Sequence, residues 1–159
     1  MFFGMGKKEI VISSPVSGKI KPVSSLKDKT FSANILGPGI AVAPEGDFVE
    51  APADGKLEQM FETGHAFGMT TADGVELLVH VGLDTVRLKG RHFKKFGKSG
   101  DSVKKGDRLI EFDENAIRGE GYDTTVVLVV LNQDRFKGVR FAEEGPIRAG
   151  DPLIWVRTK

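Results

Sequence analysis

The chain reads as an all-β protein: an antiparallel β-sandwich or flattened barrel with an interleaved internal duplication and a few short helical turns. Three observations predict this. Most of the 159 residues fall into short apolar runs cut by Gly, Pro and Asp, with little helical periodicity. Two motifs recur. Pro15-Val16-Ser17-Gly18-Lys19-Ile20 matches Pro52-Ala53-Asp54-Gly55-Lys56-Leu57, and Val103 to Ile110 (VKKGDRLI) matches Ile147 to Ile154 (IRAGDPLI). Each copy carries a turn glycine flanked by apolar strand residues, as a tight reversal requires. The copies run first, first, second, second, so two halves complete one core.

In chain order, strands are expected near residues 9–13, 17–21, 39–43, 54–61, 65–70, 75–81, 108–112, 124–131 and 152–157. One-turn helices are expected near 26–28, 31–35, 84–86 and 113–117. The run from Val126 to Leu131 is apolar throughout and reads as a strand buried on both faces. No linker or low-complexity stretch interrupts the chain. The expected organisation is a flexible N-terminal segment, 1–8, followed by a single domain, 9–159. The loop 113–123, with Gly119 and Gly121, is the expected mobile part.

Composition removes several function classes. The net charge of +1 argues against a nucleic-acid footprint. Lys94-Lys95 and Lys104-Lys105 lack interleaved aromatics and read as solvated faces. There are no cysteines, which excludes disulfides, thiolate metal sites and a Cys nucleophile, and fits a cytoplasmic location. No apolar run approaches the ~20 residues of a membrane helix. The start, MFFGMGKKE, has its apolar residues before its lysines, opposite to a secretory signal, and supports at most peripheral membrane contact. Gly97-Lys98-Ser99 lacks the earlier glycine of a P-loop, because His92 stands there.

The chemistry concentrates between Thr63 and Asp84, which hold two of the three histidines. This stretch reads as a hairpin, residues 65–70 and 75–81, turning at Thr71-Ala72-Asp73-Gly74. A four-residue loop would set His65 opposite His80, and a two-residue loop would set them diagonally; both keep the imidazoles on one face. A three-residue loop would separate them. Leu78 and Gly82 share the His80 face, whereas Val75, Leu77, Val79 and Val81 form the core face. Paired imidazoles admit three chemistries: a metal site needing further ligands, acid–base catalysis, or attack by one neutral ring nitrogen on phosphorus. The last fits best, with the second histidine donating to the incoming phosphoryl oxygens. Thr63 can fix a tautomer. Asp84 is either a charge beside an imidazole or an N-cap for the turn at Thr85. His92 is expected at the surface.

Phe61-Glu62-Thr63-Gly64-His65-Ala66-Phe67-Gly68, Gly74 through Val86 (GVELLVHVGLDTV), Leu88-Lys89-Gly90 and Phe93 together resemble the signature of the glucose-type IIA domain of the bacterial phosphoenolpyruvate-dependent sugar phosphotransferase system. Ala51 to Gly55, Gly106 to Asp113 and Gly150-Asp151 also fit, so the resemblance covers residues 9–157. It implies an antiparallel β-sandwich of the duplicated hybrid motif type. It implies that His80 is phosphorylated on Nε2, that His65 helps pass the group on, that Thr63 hydrogen-bonds His65, and that Asp84 lies beside the site. The implied donor is the phosphocarrier HPr and the acceptor a IIB domain of a sugar permease. Phe31, Ile35, Leu36, Phe61, Leu78 and Val86 are the implied docking face. Regulatory targets of the unphosphorylated form are a further expectation. No cofactor is implied, and zinc at His65 and His80 only in a partner complex.

Two departures from the family pattern bear on partner choice. Gly37-Pro38-Gly39 replaces a common Gly-Asp-Gly, and Arg91-His92 stands where an acidic residue and Gly are common. Both make the surface more positive. The rival readings are a zinc hydrolase, for which a third ligand is missing, and a non-catalytic regulatory module that clasps a metal between His65, His80 and a partner's carboxylate. A piece of a larger permease polypeptide also stays open.

Overall fold

A computed structural model describes residues 8–159 of the chain. Of the segment 1–8 expected to be flexible, residues 1–7 lie outside the described residues. The Lys8 carbonyl accepts the Thr158 N–H at 2.9 Å, and the Lys8 N–H donates to Thr158 Oγ1 at 3.2 Å. The strands are β1 (Glu9–Ser13), β2 (Gly18–Pro22), β3 (Gly39–Pro44), β4 (Phe48–Glu50), β5 (Gly55–Met60), β6 (Ala66–Thr71), β7 (Glu76–Val81), β8 (Phe93–Lys95), β9 (Ser102–Val103), β10 (Arg108–Phe112), β11 (Val126–Val130), β12 (Gly138–Phe141), β13 (Gly145–Ile147) and β14 (Pro152–Arg157). Two short α-helices, α1 (Lys29–Ser32) and α2 (Glu114–Gly119), and 3₁₀ turns at Val23–Ser25, Thr85–Leu88 and Gln133–Arg135 complete the described residues.

The strands form an eight-stranded sheet, ordered β13-β2-β3-β11-β7-β6-β5-β9, and two three-stranded sheets, β1-β14-β12 and β4-β10-β8. All pairings are antiparallel. These are open sheets packed on one another, so the sandwich expectation stands and the flattened barrel is corrected: among the described residues no strand pairing closes the ring. The duplication is visible in the pairing. β2 and β13 hold the same places on one side of the large sheet as β5 and β9 on the other. The small sheets repeat one another strand for strand, β1-β14-β12 against β4-β10-β8. The interleaving takes a nested form, in which the outer copy joins the two ends of the chain around the inner one.

Packing follows the alternation of side chains. Ile10, Ile12, Ile110, Phe112, Ile154 and Val156 of the small sheets share one core with Leu57, Leu77, Val79, Val81, Val126 and Leu128 of the large one. Leu77, Val79 and Val81 are fully buried, while Glu76 is exposed and Leu78 and His80 half-buried. A one-residue slip of β7 would exchange these sets. Exposing an apolar side chain of this size costs about 1.5–3 kcal/mol, so the register is firmly held. β11 is buried throughout, as its composition predicts, but Leu131 just beyond it is exposed. The other face of the large sheet carries a smaller cluster, in which Val23 and Phe31 cover Ala41, Val127 and Val129, with Leu78 at its edge. The segment holding α1 therefore folds over the face that carries His80.

Candidate functional site

The β6–β7 register departs from both expected alternatives. Ala66 stands opposite His80, Phe67 opposite Val79 and Gly68 opposite Leu78. The loop has three residues, 72–74, closed by the Thr71 N–H donating to Val75 O at 2.8 Å. Its size is set by side chains. The Val75 N–H donates to Thr71 Oγ1 at 3.0 Å, and Asn132 takes the Glu76 N–H at 2.9 Å while donating to Gly74 O at 3.0 Å. A three-residue loop would place two strand residues at 65 and 80 on opposite faces. His65 escapes this rule because β6 begins only at Ala66, after a turn in which Gly64 has φ 70°. The ladder ends there: Val81 N–H donates to His65 O at 2.7 Å, and Val81 O accepts the Thr85 hydroxyl instead of a backbone N–H.

The two imidazoles meet edge to face, with ring centroids 4.9 Å apart and an 82° interplanar angle. Phe31 lies against His80 at 5.2 Å, and Phe61 and Phe93 border His65 at 5.4 and 6.5 Å. His80 is flanked on the neighbouring strands by Ala66 and Val127. Its Nδ1 donates to Gly82 O at 2.7 Å. A carbonyl can only accept, so Nδ1 holds the proton and Nε2 holds the free lone pair. His65 Nδ1 is hydrogen-bonded to Thr63 Oγ1. With the Thr63 hydroxyl as donor, His65 presents an Nε2–H.

Both imidazoles are neutral at pH 7. Burial, and then the charge of His80, pushes His65 down to about 4. Only 3% of His65 is exposed, so desolvation of its charged form is the expected dominant cause. Burial also lowers His80, against the Gly82 hydrogen bond and the carboxylates of Asp28 and Asp84. A neutral imidazole is the nucleophilic form.

Asp84 does not cap the turn. It occupies the N-cap position of Thr85–Leu88 in a left-handed conformation, φ 59°, with no side-chain cap bond, and acts on His80 by charge alone. Asp28 was missed by the sequence reading and exerts the stronger of the two carboxylate effects. It caps α1 by accepting the Thr30 N–H at 2.8 Å, so local helix chemistry holds it in place. The Gly82 carbonyl was missed too; its only signal was the glycine two residues after His80, whose φ is 80°. His92 is half-buried, with φ 74°, and its ring and the Arg91 guanidinium both bond Glu120.

The six apolar residues of the expected docking face divide into three kinds. Phe31 is buried beneath His80, and Phe61 and Leu78 are half-buried beside the imidazoles. Ile35, Leu36 and Val86 stand out at 68%, 41% and 53% exposure, on the loop after α1 and on the turn after His80. Among the described residues no group of three or more His, Cys, Asp or Glu side chains converges to hold a metal ion. His65 and His80 alone offer two donors, so a metal there needs a ligand from another molecule.

The site is thus one face of an open β-sandwich on which two neutral imidazoles meet among apolar side chains. Residues 10–136 match the family model of the phosphoenolpyruvate-dependent sugar phosphotransferase system, EIIA 1. The chain belongs to that family. It is 38% identical to the PTS system glucose-specific EIIA component of Haemophilus influenzae, over 92% of this chain and 87% of that one. It is 39% identical to the beta-glucoside-specific EIIBCA component of Dickeya chrysanthemi and 40% to that of Bacillus subtilis, over 92% and 94% of this chain. It spans about a quarter of the length of those two proteins, 23% and 24%. The glucose permease IIA from Mycoplasma capricolum superimposes with a TM-score of 0.85 at 30% identity, covering all of both chains. Among the described residues no helix is long and apolar enough to cross a membrane.

Proposed function

We propose that this chain is a cytoplasmic phosphohistidine carrier that accepts a phosphoryl group from HPr on His80 and passes it to a IIB domain of a sugar permease. The observation that carries the reading is the His80 Nδ1–H···O=C bond to Gly82, which leaves Nε2 as the one free lone pair beside His65. In the first step the donor's phosphohistidine P–N bond breaks as the P–Nε2 bond forms, and the electron pair returns to the donor nitrogen. In the second, a IIB cysteine thiolate attacks phosphorus and neutral His80 leaves with its Nδ1 proton in place. The phosphoryl oxygens receive the His65 Nε2–H, held in that tautomer by Thr63. Such positioning and charge stabilisation supply most of the catalysis of phosphoryl transfer. The exposed Ile35, Leu36 and Val86 give partners an apolar surface with which to exclude water. The same surface, before phosphorylation adds about −1.5 to −2 charges, offers a site for regulatory targets. The chemistry requires no cofactor; zinc enters only where a partner supplies the missing ligands to His65 and His80.

The test is incubation with phosphoenolpyruvate, the first enzyme of the relay and HPr, followed by intact-mass analysis. Wild type and His65→Ala should gain one acid-labile phosphate and His80→Ala none. Should none of the three gain mass while HPr is itself phosphorylated, the carrier reading fails.

A further inference from the structure

Thr85 lies five residues beyond His80 and is fully buried, though it belongs to a turn at the edge of the site. Its hydroxyl donates to Val81 O, the carbonyl that a continuing ladder would have paired with the His65 N–H. Its methyl fills the space beside Gly82: a Cβ built on Gly82 would come within 2.4 Å of Thr85 Cγ2 and 2.9 Å of Asp123 O. The Gly82 N–H donates to Thr125 O at 2.8 Å, and the Leu83 N–H to Asp123 O at 2.9 Å. Asp123 is in turn fixed by the Thr125 N–H and hydroxyl, at 2.8 and 2.6 Å. The segment 81–83 is thus held both by backbone of residues 123–125 and by the Thr85 side chain. Within it the Gly82 carbonyl points at His80 Nδ1.

We infer that Thr85 is a positioning residue for phosphoryl transfer, ending β7 with its hydroxyl and bracing Gly82 with its methyl so that the Gly82 carbonyl holds the His80 Nδ1 proton. It acts through Val81 and Gly82. A residue with the same shape and no hydroxyl leaves Val81 O buried without its donor, and the strand end relaxes toward the His65 N–H. The Gly82 carbonyl then turns, and His80 loses the constraint that selects one tautomer. The inference rests on His80 being the acceptor, but the tautomer itself can be read without any phosphate.

The experiment labels histidine with ¹⁵N and records long-range ¹H–¹⁵N spectra of wild type, Thr85→Val and Thr85→Ser at pH 8, alongside rates of phosphate uptake from HPr. Wild type should show His80 as a single Nδ1–H tautomer. Thr85→Val should show mixed tautomers and uptake slower on the order of 10- to 100-fold, the penalty for misplacing a reacting group by up to about 1 Å. Thr85→Ser keeps the hydroxyl but not the methyl; it should keep the Nδ1–H tautomer and take up phosphate at a rate between those of Thr85→Val and wild type. If Thr85→Val does not fold, Thr85→Ala carries the same readouts. A hydroxyl-free variant that keeps a pure Nδ1–H tautomer overturns the inference, whatever its rate. A wild type that shows the tautomer yet takes no phosphate overturns the carrier reading and leaves the Thr85 comparison standing on the spectra.

Discussion

His65 should make the fold acid-sensitive by an amount that follows from its burial. Its pKa falls from 6.5 to about 4 on folding, because a charged imidazole loses its hydration there and faces His80. The unfolded chain therefore binds a proton on this residue below pH 6.5, and the folded one only near pH 4. Between those values the unfolded state holds more protons, so stability falls as pH falls; above pH 6.5 the residue has no effect. The shift of about 2.5 units corresponds to roughly 3 kcal/mol, at about 1.4 kcal/mol per unit. His65→Gln keeps a side-chain partner for Thr63 and cannot titrate. Urea unfolding of wild type and His65→Gln at pH 7.5, 6.5, 5.5 and 4.5 isolates the contribution, since carboxylates and His80 contribute to both. The wild-type advantage should be constant from pH 7.5 to 6.5 and then shrink by roughly 2–3 kcal/mol by pH 4.5. Parallel stability curves across the whole range, or a measured His65 pKa at or above 6, would refute the reasoning.

Other perturbations separate framework from surface. Gly82→Ala sets a methyl against Thr85 and Asp123 at a φ of 80°, and should cost about 1–3 kcal/mol in urea unfolding while slowing phosphate uptake. Phe67→Ala empties the largest fully buried side chain of β6 and should cost about 3–5 kcal/mol by the same assay. Ile35→Asp alters a residue that is 68% exposed; its unfolding free energy in urea should stay within about 0.5 kcal/mol of wild type, while the KM for HPr rises and the maximal rate holds.

The residues that betrayed the fold were those whose pattern is local. Glycines at 18 and 55 open matched strands, and the alternation Leu77, Val79, Val81 against Leu78, His80 assigned both faces of β7 before any pairing was known. The elements that escaped notice are short or charged, such as β8 with Phe93-Lys94-Lys95, β9 with Ser102-Val103, and β4, β12 and β13. They are strands because larger strands beside them offer partners, as β10 does for β8. Register failed for a comparable reason. Whether the β6–β7 loop holds two, three or four residues depends in part on Asn132, 58 positions from Gly74, a contact that no local turn signal reports. His65 and His80 were nonetheless paired correctly, because His65 sits outside the strand and the parity rule does not bind it. Asp28 was invisible as a neighbour of His80, since it reads only as a helix cap and reaches the site when α1 folds across the sheet.

The most direct test of the central claim asks which atom of which ring bears the phosphorus. Phosphorylated protein, labelled with ¹⁵N in histidine, should show phosphorus on Nε2 of His80 with Nδ1 still protonated and bonded, as the Gly82 contact requires. Phosphorus on His80 Nδ1, or on either nitrogen of His65, would contradict the account, because it would mean that the Gly82 carbonyl does not select the reacting nitrogen.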